Sequence, residues 1–258
     1  MHTKGEAEHS PVKQTQADRK NLSVLIPYRD RKKHLDTLLP RLHEVLPSPY
    51  QITIVEQKEA GLFNKGKLLN AGVLESLPAD YYCFHDVDFY PLDVCYDIPA
   101  VPTRPFATTI GHKDYTEKFN RQKLERLLRE DFIGSEVQAD VYSDCFGGVI
   151  LVRRDHFFAV KGYSNRFEFW GYEDLDFALR CQQAGFSPHY SQKGVFRLLP
   201  HRHAVQQEPD KKALILKNQH IFETQSKVGD FDNGLLEAKY QVVESRLYQG
   251  CRWLSIAF

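Results

Sequence analysis

The sequence predicts an α/β fold with a central mixed, mostly parallel sheet flanked by helices. Three observations predict it. Between residues 21 and 88, short apolar runs alternate with stretches of helical periodicity, in the order strand, helix, strand, helix, strand. Polar residues able to do chemistry collect where those apolar runs end, which is where open α/β sheets place ligands. Two strand-like runs close the chain after residue 238. The 258 residues suffice for one large domain with a substantial core.

Residues 1–20 are polar, without periodicity or aromatics, and are expected to form a disordered tail. That leaves residues 21–258 as a single domain. "NLSVLIPY" (21–28) is a buried strand ending near Pro27. "DRKKHLDTLLPRLHEVL" (30–46) sets Leu35, Leu38, Leu39, Leu42, Val45 and Leu46 at helical spacing, with Pro40 expected to interrupt or kink it. "YQITIVEQ" (50–57) is a second strand, "NKGKLLNAGVLESL" (64–77) a second helix and "DYYCFHDVD" (80–88) a third strand, followed by a turn ending in Pro91. Residues 117–132 read as a charged amphipathic surface helix. "CFGGVILVRR" is a strand entered through Gly147 and Gly148, and "LDFALRCQQAG" is a helix stopped by Gly185. "GVFRLLPHRHAV" is strand-like and carries His201 and His203, and "AKYQVVESRLY" and "CRWLSIAF" are the closing strands.

Composition narrows the function classes. Lys+Arg and Asp+Glu both number 34, so there is no polybasic field for nucleic acid, and no nucleic-acid partner is expected. No run of about 20 apolar residues marks a transmembrane span. Five cysteines, an odd number without CxxC or CxH spacing, argue against a disulfide scaffold and a structural zinc site. The expected setting is reducing and cytoplasmic; the alternative is the Golgi lumen, if the chain is the excised domain of an anchored enzyme.

"FHDVDFYP" (84–91) places Asp86 and Asp88 straight after the apolar "YYCF". Asp-x-Asp at a strand end suits a divalent cation that bridges to a diphosphate, the alternative being a solvated strand end. His201 and His203, two apart on an extended segment, face one side and could join Asp88 as ligands to a borderline cation such as Mn²⁺. "FEFWGYEDLDF" (167–177) runs aromatics directly into Glu173, Asp174 and Asp176. Aromatic faces stack on sugar rings, and a carboxylate beside them can act as general base toward a hydroxyl. The competing reading is a helix N-terminus with acids complementing the dipole.

Taken together and in order, "VLIPYRDR", "FNKGKLLNAG", "FHDVDFYP", "FGGVILVRRDHF", "GYSNRFEFWGYEDLDF" and "HRH" resemble the signature blocks of the β-1,4-galactosyltransferases, inverting enzymes of GT-A fold that use UDP-galactose and Mn²⁺. The HxH pair resembles most the branch that galactosylates xylose on proteoglycan linkers. The resemblance implies a GT-A-like nucleotide-sugar-binding fold, with residues 21–115 mainly binding the donor and 140–258 mainly the acceptor and metal. It implies that Pro27, Tyr28, Arg29 and Arg31 hold the uridine and diphosphate, and that Phe63 packs on the uracil while Lys65 reaches the phosphates. Asp86, with Val87 beside it, would contact the donor, and Asp88, His201 and His203 would bind Mn²⁺. Gly147 and Gly148 would let backbone approach the donor. Trp170 would sit on a mobile lid touching donor and acceptor, Tyr172, Glu173 and Asp174 would meet the acceptor, and Asp174 would be the catalytic base.

Two departures bear on substrate. The family's Trp-Gly-Trp-Gly reads "EFWGY" here, which leaves the glycan or glycoconjugate acceptor open. The Tyr usual before "FGGV" is Cys145, a smaller side chain that leaves room for a 2-acetamido group, so UDP-N-acetylhexosamine donors stand beside UDP-galactose. Two rivals make other demands. A nucleotidyltransferase needs a Gly-rich triphosphate loop, and "PYRDRKK" has no Gly. A non-catalytic carbohydrate-binding relative should have lost its base or a metal ligand, yet Asp88, Asp174, His201 and His203 are all present.

Overall fold

The computed structural model describes residues 20–110, 145–200, 209–229 and 231–258. The tail up to residue 19, the helix expected at 117–132, and His201 and His203 lie outside them. Strand β1 (Leu22–Tyr28) pairs in parallel with β2 (Tyr50–Gln57) on one side and β3 (Tyr81–His85) on the other. Beyond β2, β11 (Cys251–Ala257) continues the parallel register and β10 (Gln241–Tyr248) closes that edge antiparallel. Beyond β3, β7 (Val149–Arg153) runs antiparallel, followed by two-residue strands β5 (Thr103–Arg104) and β8 (His189–Tyr190). The result is an eight-stranded mixed sheet, as expected.

Strand alternation sorts the core into two layers. Leu22, Val24, Ile26, Tyr81 and Cys83 face Leu35, Leu38, Leu39 and Leu42 of helix α1 (Lys32–Val45). Leu25, Val55, Tyr82 and Phe84 face Leu68, Leu69, Ala71 and Val73 of α2 (Lys65–Glu75). Residues of opposite parity are thus buried on opposite faces, which is why these strands read as continuous apolar runs. Helix α1 runs unbroken through Pro40, where the sequence reading expected an interruption or kink. Pro40 lies on the exposed side, where water can satisfy the carbonyl its ring leaves without a donor.

A second sheet of three strands, β4 (Phe89–Asp93), β9 (Val195–Leu198) and β6 (Thr108–Ile110), lies at the carboxyl end of β3. The stretch containing Pro91 is therefore a strand rather than a turn ending in that residue. Pro91 is tolerated because β4 is an edge strand and its register shifts between Pro91 and Asp93. Three helices complete the fold: α3 (Arg154–Ala159), α4 (Glu173–Gln183), which is followed by Gly185 at φ +85°, and α5 (Lys211–Val228), which the sequence reading did not anticipate. Among the described residues, no helix is long and apolar enough to cross a membrane.

Candidate active site

The site forms where β3 ends, α2 begins and α4 begins. Asn64 caps α2 by accepting from the Lys67 N–H (2.9 Å), and its amide donates to Asn165 O (2.9 Å). Asn70, nearly two turns later, donates to Tyr163 O (2.7 Å) and accepts from the Tyr163 N–H (3.0 Å). These buried amides tie α2 to the loop leading into α4. They set Lys65 in the first turn of α2, facing that loop.

Lys65 is the hub. Its Nζ lies 3.1 Å from Asp174 Oδ1 and 3.2 Å from Asp86 Oδ1, so one ammonium bridges the acid at the end of β3 and the acid at the start of α4. Burial works against its charge, but Asp174, Asp86 and Glu173 outweigh that and hold the ammonium well above the ordinary lysine range. Burial pushes Asp86 up to about 7 despite Lys65. Burial, then the neighbouring Asp174, pushes Glu173 up to about 7 as well.

Gly147 is required by close approach. A Cβ there would lie 2.0 Å from Asp174 Oδ2 and 3.1 Å from Cys145 Sγ. Gly148 adopts φ +78°, and a Cβ there would meet the Phe89 ring at 2.4 Å. The Gly148 carbonyl accepts from the Asp86 N–H (2.8 Å), joining the two predicted donor segments through backbone. Cys145 Sγ lies 3.9 Å from Asp174 Oδ2, and burial with the nearby Asp174 pushes the thiol up to about 12. All five cysteines are free.

The Asp86–Asp88 corner is held from behind by His85, which burial pushes down to about 4. Its Nδ1 is 2.9 Å from Asp86 O and its Nε2 is 3.1 Å from Tyr96 Oη. A neutral ring satisfies both by donating from Nδ1 and accepting at Nε2, a tautomer assigned from this network. Asp88 O accepts from the Leu199 N–H (2.8 Å), which sets the end of β9 beside Asp88. His34 of α1 lies 3.2 Å from Pro200 O. Among the described residues, no group of three or more His, Cys, Asp or Glu side chains is placed to hold a metal.

The other predicted residues surround this cluster. The Arg29 guanidinium lies 5.2 Å from the Phe63 ring centroid and donates to Gly61 O. Phe63 O accepts from the Phe169 N–H (2.7 Å), joining the α2 side to the Trp170 loop. Trp170 is 46% exposed, whereas Tyr172 packs against Phe222 at 5.6 Å. Pro27, Tyr28 and Val87 are buried, Tyr28 edge-on to Trp253 at 4.9 Å, rather than exposed to a ligand. Arg31 is half-buried at the N-cap of α1. Sequence reasoning missed Asn64, Asn70, Asn165, His85, His34 and Asn218. Asn64 carried a legible signal, an Asn just before an apolar helical run.

Comparison with known proteins assigns the family. The profile for the N-terminal region of glycosyl transferase group 7 matches residues 3–96, and that for the N-terminal domain of galactosyltransferase matches residues 138–204, together more than half of the chain. The chain belongs to the β-1,4-galactosyltransferase family. Human β-1,4-galactosyltransferase 4 is 35% identical over 169 residues, covering 62% of this chain and 42% of that protein. Mouse β-1,4-galactosyltransferase 7 is 29% identical over 229 residues, covering 86% and 61%. The chain thus spans 42% and 61% of the length of these galactosyltransferases. A β-1,4-N-acetylglucosaminyl-transferase from Lymnaea stagnalis is 34% identical over 165 residues, 62% of this chain and 29% of its own. The catalytic domain of Drosophila β-1,4-galactosyltransferase 7, solved with xylobiose, superposes with TM-score 0.69 at 23% identity over 93% of this chain and 94% of that one. GalNAc-T7, solved with UDP, GalNAc and Mn²⁺, superposes at 0.55 with 13% identity over 84% and 49%. These likenesses establish the GT-A fold for this member of the galactosyltransferase family.

Proposed function

We propose that the chain is an inverting, metal-dependent glycosyltransferase that moves galactose or an N-acetylhexosamine from a UDP-sugar to a sugar hydroxyl. The observation that carries the reading is Lys65 bridging Asp86 and Asp174, with Gly147 leaving room for the Asp174 carboxylate. The bridge draws the donor-side acid and the proposed base to one cation.

Inversion needs one base opposite the leaving diphosphate. Asp174 takes the proton from the acceptor hydroxyl as that oxygen attacks the anomeric carbon. Glu173, titrating near neutrality, can donate or accept a hydrogen bond with an acceptor hydroxyl. Lys65 and Arg29 offer positive charge to the diphosphate, and Phe63 offers a ring face to the base of the nucleotide. Trp170, exposed on its loop, is placed to cover the sugar and exclude water.

The residues fit a metal. Asp88 supplies a carboxylate beside the strand that leads to His201 and His203, a mixed oxygen and imidazole set suited to Mn²⁺. When bound, such an ion would neutralise charge on the departing diphosphate. A variant of the Drosophila enzyme has been solved with manganese, UDP-Gal and xylobiose, which supports this choice of cofactor and donor and makes a xyloside the first acceptor to try. Cys145 beside Asp174, where a bulkier Tyr would narrow the pocket, supports including N-acetylhexosamine donors.

The test is UDP release from UDP-Gal, UDP-GalNAc, UDP-GlcNAc and UDP-Glc, with Mn²⁺ or EDTA, wild type beside Asp174→Asn. The expected result is metal-dependent release with one or two donors, lowered by about 10²–10⁴-fold in the variant. Absence of both UDP binding and UDP release would overturn the reading.

A further inference from the structure

We propose that α5 is a polar clamp, in which the buried amides of Asn218 and Gln225 set the conformation of the Trp170 loop and of the helix carrying Glu173 and Asp174. The clamp rests on the reading of those residues as the site. Surface helices ordinarily dock through an apolar stripe. Among the described side chains of α5, the buried ones are Asn218 and Gln225, two helical turns apart on one face, while Leu216 is 52% exposed. The helix is held by these amides together with the half-buried Leu214, Ile215, Ile221 and Phe222.

Asn218 Nδ2 lies 2.8 Å from Glu168 O, 3.1 Å from Gly171 O and 3.2 Å from Trp170 O. Three backbone carbonyls converge on one amide donor group. The loop that brings them there is strained, with Phe169 at φ +72°, Gly171 at +94° and Tyr172 at +74°. Such a conformation persists only where its surroundings over-determine it. Asn218 Oδ1 is buried with no hydrogen-bond partner among the described residues. The side chain is retained for its donor end, and flipping the amide would set an oxygen against three carbonyls.

Gln225 reaches the helix itself. Its Nε2 donates to Asp176 Oδ1 (2.9 Å) and its Oε1 accepts from Arg166 (3.2 Å). Asp176 is paired with Arg180 at 2.6 Å, both side chains fully buried, and Arg180 also donates to Phe231 O and Asn233 O (2.9 Å each). Asp176 lies one turn beyond Glu173, so the two amides bracket the start of α4. The Lys217–Glu168 ion pair (3.0 Å) and the Tyr172–Phe222 contact flank them. Because these amides are buried, losing either leaves backbone carbonyls or the Asp176 carboxylate without a donor.

The chain has two tryptophans, Trp170 on the clamped loop and Trp253 buried in β11. Labelling with 5-fluorotryptophan therefore gives two fluorine resonances, assigned with Trp170→Phe. Asn218→Asp keeps the shape and removes the donor; Asn218→Ala and Gln225→Ala remove the amides. The expected result is a Trp170 resonance that moves toward its solvent-exposed position in the Asn218 variants while Trp253 stays put. With UDP-galactose and xylobiose, the acceptor KM should rise about tenfold. A Trp170 resonance unmoved in Asn218→Asp and Asn218→Ala, or Trp253 moving with it in every variant, would overturn the clamp. If no variant turns over, the fluorine readout still decides the clamp, and the transferase reading fails separately.

Discussion

Replacing Lys65 with Met keeps the aliphatic stem and removes the shared counterion of Asp86 and Asp174. The side chains of Lys65, Asp86 and Asp174 are only 13%, 28% and 14% exposed, so solvent does little to replace the lost charge. At these separations and an effective dielectric of about 20, each pair is worth on the order of 5 kcal/mol before desolvation is subtracted. Breaking such a site by removing one partner costs about 3–5 kcal/mol net. The loss should depend on pH. Asp86 is raised from an ordinary 3.8 to about 7 with Lys65 present, and removing the ammonium raises it further. An acid raised in the fold contributes stability that is fully present below the unfolded value near 4 and is lost as pH rises through the folded value. Each such acid costs about 1.4 kcal/mol per pH unit across that window. Urea denaturation in EDTA should therefore show Lys65→Met losing about 3–5 kcal/mol at pH 8 and about 1–2 kcal/mol at pH 5. An equal loss at both pH values, or a larger one at pH 5, would refute the claim that Lys65 serves chiefly as the shared counterion of Asp86 and Asp174.

Four further substitutions separate packing from chemistry. Gly147→Ala pushes its Cβ into Asp174 Oδ2 and should lower UDP-sugar turnover by about 10²-fold or more. Gly148→Ala strains a left-handed residue against Phe89 and should instead cost about 1–3 kcal/mol in a urea melt. Cys145→Tyr should narrow the donor pocket and shift the ratio of UDP-GalNAc to UDP-Gal turnover toward UDP-Gal by about tenfold, read from initial rates; an unchanged ratio counts against Cys145 facing the donor sugar. Asp176→Asn leaves Arg180 buried without its charge partner and should cost about 3–5 kcal/mol, measured by denaturation at pH 7.

The layered part of the fold was legible because period-two burial on both faces writes itself as apolar runs, as in "SVLIPY" and "YYCF". The small sheet was not. Its β6 has three residues, and β4 carries a proline that is allowed only because the strand sits on an edge and its register slips beside it. Helix α5 was invisible for a different reason. Its "KKALILKNQHIFETQSKV" buries amides where a periodicity search looks for leucines.

The same contrast governs the site. Asp86 could be picked out as one of two acids straight after an apolar run, whereas the roles of Asp174 and the two glycines came from the family resemblance. That Lys65 lies between the two acids could not be read, since it depends on how the amides of Asn64 and Asn70 fasten α2 to the loop before α4, contacts that span about a hundred residues of sequence. Those amides explain why acids from separate elements can share one cation. Their hydrogen bonds are directional, so they fix the spacing of α2 and α4, which apolar packing alone leaves free to slide. The clamp on α5 uses the same material on the opposite side of Asp174. The helix that carries the proposed base is thus fastened by amide contacts to the loop before it from α2, and to Asp176 and the Trp170 loop from α5.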